Sequence, residues 1–202
     1  MSDNTSSRTP EEIFREHGGM MHMIQAMEAG MSRYRLYSLR DQGIVEEVSR
    51  GVYRLAELPP ITQVDLVTVA LRYPNAVVCL VSALAFHEMT TQVPHRVHVA
   101  VTRQMRLPAL EFPPVAAHRF SEPAYSAGVR KHRIDGVDVQ IYDPEKTLVD
   151  CFKFRNKLGM DVVQEALRLY RERKTLNIAA ILRFAGICRV ERPMRPYLEA
   201  FL

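Results

Sequence analysis

Residues 32–55 read SRYRLYSLRDQGIVEEVSRGVYRL, and this stretch predicts a short helix, a tight turn and a β-hairpin, in that order. Ser32 is a typical N-cap residue, so a helix is expected directly after it, and Gly43 can supply the left-handed residue that ends it. The runs 44–48 and 52–55 are β-prone, and the Ser-Arg-Gly between them contains the glycine that a hairpin turn needs. This order of elements predicts the second half of a winged helix-turn-helix.

The predicted helix has one apolar face and one polar, aromatic face. At 100° per residue, Leu36 and Leu39 share the inner face. The residues that point the other way are Tyr34, Tyr37, Ser38 and Asp41. Arg33 and Arg35 flank this outer face. A helix with arginine and tyrosine in its N-terminal half can lie in a major groove, and a basic hairpin beside it can bind flanking phosphates.

We therefore predict an interface with duplex DNA that includes Arg50 at the hairpin tip and Arg54 on the returning strand. The complete predicted set is Arg33, Tyr34, Arg35, Tyr37, Ser38, Arg40, Arg50 and Arg54. Helix, turn and hairpin also occur in small domains that bind only other proteins, and this alternative stays open. In that case the two tyrosines belong to a protein interface, and Arg35 and Arg40 are solvated surface residues.

The length and composition predict two domains and a cytoplasmic protein. A chain of 202 residues with 47% hydrophobic residues can build one large core or two small ones. No apolar run approaches about 18 residues, so neither a signal peptide nor a membrane span is expected. The three cysteines, Cys79, Cys151 and Cys188, are far apart and odd in number, which predicts buried thiols and disfavours disulfides or a thiolate zinc site.

The net charge of +4 fits a polyanionic partner, but the charge is unevenly distributed. Residues 1–58 contain seven arginines and nine acidic residues, a balance of −2, whereas residues 59–202 contain twenty basic and fourteen acidic residues, a balance of +6. The predicted DNA-binding domain is therefore not the basic one. Its segment 31–40 nevertheless carries three arginines and no acid, which predicts a positive field local to the helix.

Pro59 and Pro60 predict a stiff connector, and we place the domain boundary there. The first domain is then 1–58, with 1–8 disordered, and the second is 59–202, a mixed α+β domain. Within the first domain, helices are predicted after Thr9-Pro10 and over 20–29, the latter as the first helix of the helix-turn-helix.

The second domain is predicted to alternate helices and strands. Strands are expected over 76–81, 97–102 and 137–141, and the Pro-rich stretch 108–123 has no assigned elements. Asp143 followed by proline and glutamate predicts a helix over Pro144–Lys157. Further helices are predicted over 64–70, 82–89, 161–173, 177–185 and 193–201.

The motifs of common enzymes are missing from the sequence. Nucleotidyl transfer needs paired carboxylates behind a Gly-Ser turn; Asp135 and Asp138 lack that turn, and Gly136 between them predicts a hairpin. His87 with its neighbouring glutamate does not form H-E-x-x-H, and no P-loop or G-x-S-x-G is present. We therefore predict no catalytic residue, no metal and no cofactor.

Four long segments give the chain a resemblance to a known family. They are RLYSLRDQGIVEEVSRGVYRL (35–55), VCLVSALAFHEMTTQVPHRVHVAV (78–101), VQIYDPEKTLVDCFKFRNKLGMDVVQEAL (139–167) and MRPYLEAFL (194–202). From about Gly18 to the C-terminus, the chain resembles the AbiEi-type antitoxins of type IV toxin–antitoxin systems.

This resemblance implies a bacterial regulator with an N-terminal winged helix-turn-helix and a C-terminal α+β antitoxin domain. Such a regulator represses its own operon by binding inverted repeats in the promoter, and it counters a nucleotidyltransferase-like toxin without a stable complex. By position, the DNA-contacting helix is Arg33–Gln42 and the wing is Arg50–Arg54. Met21–Met23 departs from the pattern, because a more polar start to the first helix, often with an arginine, is expected there.

The charged antitoxin surface of the family would map to basic residues after Pro59. The predicted helix Pro144–Lys157 carries basic residues on or near its exposed side, where they can meet an anionic partner or simply solvate the helix. The expected antitoxin surface is Lys146, Lys153, Arg155 and Lys157.

Two further functions stay open. A ligand-sensing repressor unrelated to toxin control would share the N-terminal half but would need a pocket with convergent polar groups in the second domain. A stand-alone enzyme would need the carboxylate pair that the sequence lacks.

Overall fold

The computed structural model describes residues 8–59, 61–173 and 175–201, and it is a mixture of helices and strands, as predicted for an α+β protein. The disorder predicted for residues 1–8 falls, apart from Arg8, outside the described residues. The chain divides into two compact units. Unit 1 is Met1–Pro74 with Arg133–Asp138, and unit 2 is Asn75–His132 with Val139–Leu202.

Unit 1 is built from four helices and a small antiparallel sheet among the described residues. Its elements are α1 (Pro10–Glu16), β1 (Met20–His22), α2 (Met23–Glu28), α3 (Arg33–Asp41), β2 (Val45–Ser49), β3 (Val52–Leu55) and α4 (Val64–Arg72). The strand order is β1-β3-β2. Thr9 and Glu12 form a reciprocal capping box at the start of α1, as expected for a helix that begins at Pro10.

The helix predicted over 20–29 is shorter than expected, because its first three residues form strand β1. Met20 pairs with Arg54 and His22 pairs with Val52, so β1 is the third strand of the sheet that contains the hairpin. The prediction was wrong here because strand pairing depends on a distant segment, whereas helical spacing is a local pattern. Helix α2 begins directly after the strand, at Met23.

The core of unit 1 draws on every element from α1 to β3. Its buried residues are Phe14, Met21, Ala26, Met31, Leu36, Leu39, Val45, Tyr53 and Leu55. Full burial of a leucine stabilises a fold by roughly 1.5–3 kcal/mol, so Leu36 and Leu39 together fix the orientation of α3.

The first compact unit continues beyond the predicted boundary at residue 58, through α4 to Pro74. The turn Arg133–Asp138 also clusters with this unit: Asp135 Oδ2 accepts hydrogen bonds from Thr62 N (2.9 Å) and Thr62 Oγ1 (3.0 Å). Gly18 and Gly136 both have positive φ, and a Cβ on either would collide with the carbonyl oxygen of the other. The first compact unit therefore extends to Pro74, whereas the proline pair at 59–60 suggests a boundary after residue 58.

Unit 2 is built around a five-stranded mixed sheet with the order β6-β5-β4-β8-β7. Its elements, including the hairpin whose tip clusters with unit 1, are β4 (Val77–Val78), α5 (Leu80–Phe86), β5 (Val97–Thr102), β6 (Val115–Phe120), α6 (Glu122–Ser126), β7 (Val129–Ile134), β8 (Val137–Tyr142), α7 (Pro144–Lys153), α8 (Arg155–Leu158), α9 (Met160–Arg171), α10 (Ile178–Cys188) and α11 (Glu191–Phe201). Strands β5 and β6 are parallel, as are β4 and β8.

Most predicted elements of unit 2 are present, with shifted ends. The strand predicted over 76–81 is only two residues long, and the following helix begins at Leu80, before the predicted cap Ser82. Asp143 caps α7 as predicted, accepting a hydrogen bond from Lys146 N (2.8 Å), but α7 ends at Lys153. Strand β6 and helix α6 lie in the Pro-rich stretch where no element was assigned.

The three cysteines are buried and free, as predicted. Cys79 precedes α5, Cys151 lies in α7 and Cys188 ends α10. Burial raises the pKa of all three thiols, which makes them poor nucleophiles. No helix in the described part of the chain is long and apolar enough to cross a membrane.

The prediction that Lys146 lies on an exposed surface was wrong. Lys146 and Asp150 are both 0% exposed, and Lys146 Nζ lies 2.5 Å from Asp150 Oδ2. The ammonium also stands 4.1 Å from the centroid of the Tyr142 ring, a cation–π distance. Burial raises the pKa of Asp150 to about 6, although the lysine opposes this shift. Both faces of α7 pack against other elements here, so a lysine at this position points into the core.

We expect that replacing Asp150 with Asn lowers the free energy of unfolding by about 3–5 kcal/mol, because the buried ammonium of Lys146 loses its ionic partner. Urea unfolding followed by circular dichroism measures this change. The double variant Lys146→Met/Asp150→Leu removes both charges and is expected to lose much less. A double variant as unstable as Asp150→Asn would mean that packing, and not an unpaired charge, sets the cost.

Candidate nucleic-acid interface

Helix α3 is fixed at both ends and along its inner face. Ser32 Oγ accepts a hydrogen bond from Arg35 N (3.2 Å), as the N-cap prediction requires. Gly43 ends the helix with φ = +73°. Leu36 and Leu39 are 1% and 6% exposed, so the opposite face is turned to solvent.

The outer face of α3 presents two aromatic rings beside two arginines. Tyr34 is 83% exposed and Tyr37 is 39% exposed, unusually high values for tyrosines of a folded domain. Arg33 and Arg35 are exposed, and neither guanidinium has an ion pair within the described residues. The rings on the outer face and the unpaired guanidinium groups that flank it on either side can contact base edges and phosphates without first breaking internal ion pairs.

Ser38 and Arg40 have partners inside the protein. Ser38 Oγ accepts a hydrogen bond from Gln42 Nε2 (2.8 Å), and Arg40 Nη2 lies 2.9 Å from Asp41 Oδ1. The Arg40 guanidinium also stands 5.1 Å from the centroid of the Tyr37 ring. Arg40 must therefore leave an acidic neighbour before it can bind a phosphate.

The hairpin presents less positive charge than the sequence suggests. Arg50 is exposed at its tip, in the turn that Gly51 closes with φ = +73°. Gly51 N donates to Glu47 Oε1 (2.8 Å), so this glutamate stabilises the turn. Glu46 and Glu47 are both exposed on β2, where they oppose the field of the arginine.

The assignment of Arg54 to the DNA interface is corrected by its burial. Arg54 is 4% exposed, its Nε lies 2.7 Å from Glu46 Oε1, and Nη1 donates to the carbonyl of Pro59 (2.6 Å). Nη2 donates to the carbonyl of Leu58. All four residues of β3 are buried, because β3 is the central strand of its sheet and not an exposed edge. Arg54 therefore attaches the segment after the hairpin to the sheet.

His22 is a structural residue of this region that the sequence pattern did not reveal. Its Nδ1 accepts a hydrogen bond from Ile24 N (3.2 Å) and caps α2, while Gln25 Oε1 accepts from His22 N (2.8 Å). Met23 N donates to the carbonyl of Gly51 (2.7 Å), which ties the start of α2 to the hairpin turn. Burial lowers the pKa of His22, and the charge of Arg72 acts in the same direction.

The carboxylates considered for catalysis have structural partners. Asp135 accepts from Thr62, and Asp138 Oδ1 lies 2.9 Å from Arg133 Nη1. His87 ends α5, and its Nε2 lies 2.7 Å from the carbonyl oxygen of Tyr142. Across the described ranges, no group of three or more His, Cys, Asp or Glu side chains has the spacing of a metal site.

The segment that contains α1, α2, α3 and the hairpin also matches a known family. Residues 8–56 match the family described as transcriptional regulator, AbiEi antitoxin. The matched segment starts just before α1 and ends just after β3, so it includes α3 and the hairpin.

No curated protein matches the chain. Among solved structures, the chain is similar to the RV2827C protein from Mycobacterium tuberculosis, with a TM-score of 0.47 and 16% sequence identity. That similarity covers 96% of this chain and 80% of the other.

Arg33→Ala and Tyr37→Ala are expected to weaken binding to the promoter roughly ten-fold to a hundred-fold more than binding to random DNA, because a lost base contact removes discrimination. Arg50→Ala is expected to weaken both equally and to reduce the slope of log K against log salt by about one, because a hairpin tip meets phosphate. Fluorescence anisotropy with both DNAs at several salt concentrations measures these effects. Equal losses for Arg33→Ala on the two DNAs would assign this residue to backbone contacts.

His22 should make the stability of the fold depend on pH. Because the pKa of folded His22 is lowered, its contribution to stability is complete above the unfolded value of about 6.5 and is lost as pH falls toward the folded pKa. We expect His22→Asn, which keeps a cap acceptor, to unfold with a weaker pH dependence than the wild type between pH 7.5 and 5.5. Other histidines remain in both proteins, and the variant of exposed His95, His95→Asn, is the control. Identical pH dependence in wild type and His22→Asn would contradict this role.

Proposed function

We propose that unit 1 is a winged helix-turn-helix that binds duplex DNA through α3, with the β2–β3 hairpin as the wing. The observation that carries this proposal is the solvent-exposed face of α3, where Tyr34 and two unpaired arginines stand on a rigidly capped helix within the matched family segment. The arrangement fits the major groove, which admits an α-helix. Arg33, Tyr34, Arg35 and Tyr37 form the proposed reading face, and Arg50 contacts phosphate.

We propose further that the chain is an autorepressor and the antitoxin of a type IV toxin–antitoxin system. In this function it binds inverted repeats in its own promoter and neutralises a nucleotidyltransferase-like toxin without forming a stable complex with it. The description of the matched family supports the pairing of regulation with antitoxin activity. The resemblance of segments 78–101 and 139–167 to such antitoxins extends this support into unit 2.

The proposed antitoxin surface is smaller than the sequence suggests, because Lys146 is buried. Lys153 and Lys157 are exposed. Arg155 is half-buried: its Nη1 donates to the carbonyl of Phe152 (2.9 Å) and its guanidinium stands 4.5 Å from the centroid of the Phe152 ring. The charges available to an anionic partner at the end of α7 and in α8 are therefore mainly the two lysines.

A ligand-sensing repressor is a second candidate function. A cleft with convergent polar side chains, the feature that this function requires, is present in unit 2. A ligand that binds there and changes promoter affinity would favour this function over toxin control.

The test separates repression from protection in cells that carry the toxin gene and a promoter reporter. Arg33→Ala/Tyr34→Ala is expected to lose repression and promoter binding while still protecting against the toxin. Lys153→Gln/Lys157→Gln is expected to repress normally but to protect less. On the exposed surface of α9, Arg171→Gln is the control that removes one charge, and Arg168→Gln/Arg171→Gln is the control that removes two.

Two outcomes would contradict the proposal. Wild-type protein that binds its promoter no better than random DNA would remove the function as a specific repressor. If protection against the toxin is lost together with repression in Arg33→Ala/Tyr34→Ala, control of toxin expression would account for antitoxicity, and no separate surface would be needed.

A further inference from the structure

A cleft of about 740 Å³ lies at one edge of the five-stranded sheet of unit 2. It is lined by the ends of β5 and β6, by the end of α7 and by the end of α10. The two strands are parallel, with Thr102 opposite Phe120, so both carboxyl ends open into the cleft. In open α/β sheets, the crevice outside the carboxyl ends of parallel strands is where ligands bind.

Four cationic side chains from different elements converge on this cleft. They are Arg103 after β5, Arg119 in β6, Lys153 at the end of α7 and Arg189 after α10. Glu122 is the single acid of the lining, which leaves an excess of three positive charges. In the part of the chain that the structure describes, Arg103, Lys153 and Arg189 make no ion pair with an acid.

Arg119 gives the cleft a rigid wall. Its Nη1 donates to the carbonyls of Thr102 (3.2 Å), Arg103 (2.8 Å) and Met105 (3.3 Å). These bonds hold the loop after β5 against β6, and they leave the charge of the guanidinium unneutralised because carbonyls are uncharged. A positively charged wall that is ordered before the ligand arrives lowers the entropy cost of binding.

Arg189 occupies a backbone position that favours glycine. Its φ and ψ are 59° and 39°, the left-handed conformation that ends α10. Arg189 N and Val190 N donate to the carbonyls of Gly186 (3.1 Å) and Ala185 (2.9 Å), which satisfies the helix end without any help from the side chain. The long cationic side chain is therefore not needed for the turn, and it lines the cleft at the expense of backbone strain.

We propose that this cleft binds a nucleoside polyphosphate. The excess positive charge suits a di- or triphosphate, and guanidinium groups bind phosphate oxygens with charge-assisted hydrogen bonds. Ile187 is 36% exposed in the same lining and offers an apolar surface to the base. The volume of about 740 Å³ falls within the range of small-molecule sites, whereas a nucleic-acid backbone follows a longer groove. This inference does not depend on the proposed DNA binding, which concerns unit 1. The cleft shares Lys153 with the proposed antitoxin surface, so the test variants change Arg103 and Arg189 instead.

Isothermal titration calorimetry of the full chain with ATP at about 0.15 M salt tests the proposal. Arg189→Gly is the most informative variant, because it removes a cation while relieving the strained backbone, so the melting temperature should not fall. We expect Arg189→Gly and Arg103→Gln each to weaken ATP binding about ten-fold or more. Arg171→Gln, which removes an equal charge from α9 outside the lining, should bind ATP like the wild type.

Two companion measurements identify the ligand class. Tripolyphosphate should bind more weakly than ATP, and Ile187→Ser should reduce that difference, because the base loses its apolar contact. A short single-stranded oligonucleotide competes poorly with ATP if the cleft takes a free nucleotide. Arg33→Ala should leave ATP binding unchanged, so failure of the DNA proposal and failure of this one are distinguishable.

Three results would overturn the proposal. Wild-type protein that does not bind ATP contradicts it directly. Equal losses in Arg171→Gln and Arg189→Gly would show that ATP responds only to overall charge. An oligonucleotide that displaces ATP at lower concentration than ATP itself, with loss of oligonucleotide binding in Arg189→Gly, would make the cleft part of a nucleic-acid surface.

Discussion

The buried ion pair between Lys146 and Asp150 constrains how α7 packs in the core of unit 2. A charge without a partner in a core costs several kcal/mol, so the two residues can be buried only together and only in one geometry. Cys188 Sγ lies 3.6 Å from Asp150 Oδ1, which joins the end of α10 to the middle of α7. Asp150 therefore contacts both a residue of its own helix and the end of α10. Lys153 and Arg189, two cations that line the cleft, lie at the ends of these two helices.

Unit 1 achieves the same positional control with apolar contacts. Leu36 and Leu39 hold α3 on a core shared with Phe14, Met21 and Tyr53, and Ser32 fixes where the helix starts. The apolar cluster itself contains no charged residue, and the buried Arg54 pairs instead with Glu46 and with the carbonyls of Leu58 and Pro59. The acidic residues of the unit are not spread evenly, since Glu46 and Glu47 lie on the hairpin and Asp41 neutralises Arg40. The two arginines of α3 that have no acidic partner among the described residues, Arg33 and Arg35, therefore lie in the N-terminal half of the helix.

The sequence predicted those features that are set by local interactions. Ser32 and Asp143 cap helices because their side chains reach N–H groups three residues away, and Gly51 closes a turn for a reason internal to that turn. It did not predict the features that depend on distant segments. Strand β1 exists because β3 pairs with it, and Arg54 is buried because β1 and β2 flank its strand. The exposure of Tyr34 and Tyr37 was predictable from helical spacing, whereas their role in DNA binding stays a prediction.

Lys146 shows why a pattern of charge alone misassigns a helix face. The lysine was placed outward because lysines usually are, but Asp150 follows it at i,i+4 and both stand among Thr147, Leu148, Val149 and Cys151, all buried. The i,i+4 spacing alone does not distinguish this pair from a surface pair, so the apolar residues around Asp150 are the local signal for burial. Because Lys146 is buried, the exposed lysines of this region are Lys153 and Lys157, and they differ in the shape of the surface around them. Lys157 lies outside the lining of the cleft, whereas Lys153 joins three arginines around a concave site. The proposed DNA-binding face of α3 and the proposed nucleotide cleft therefore share no residue.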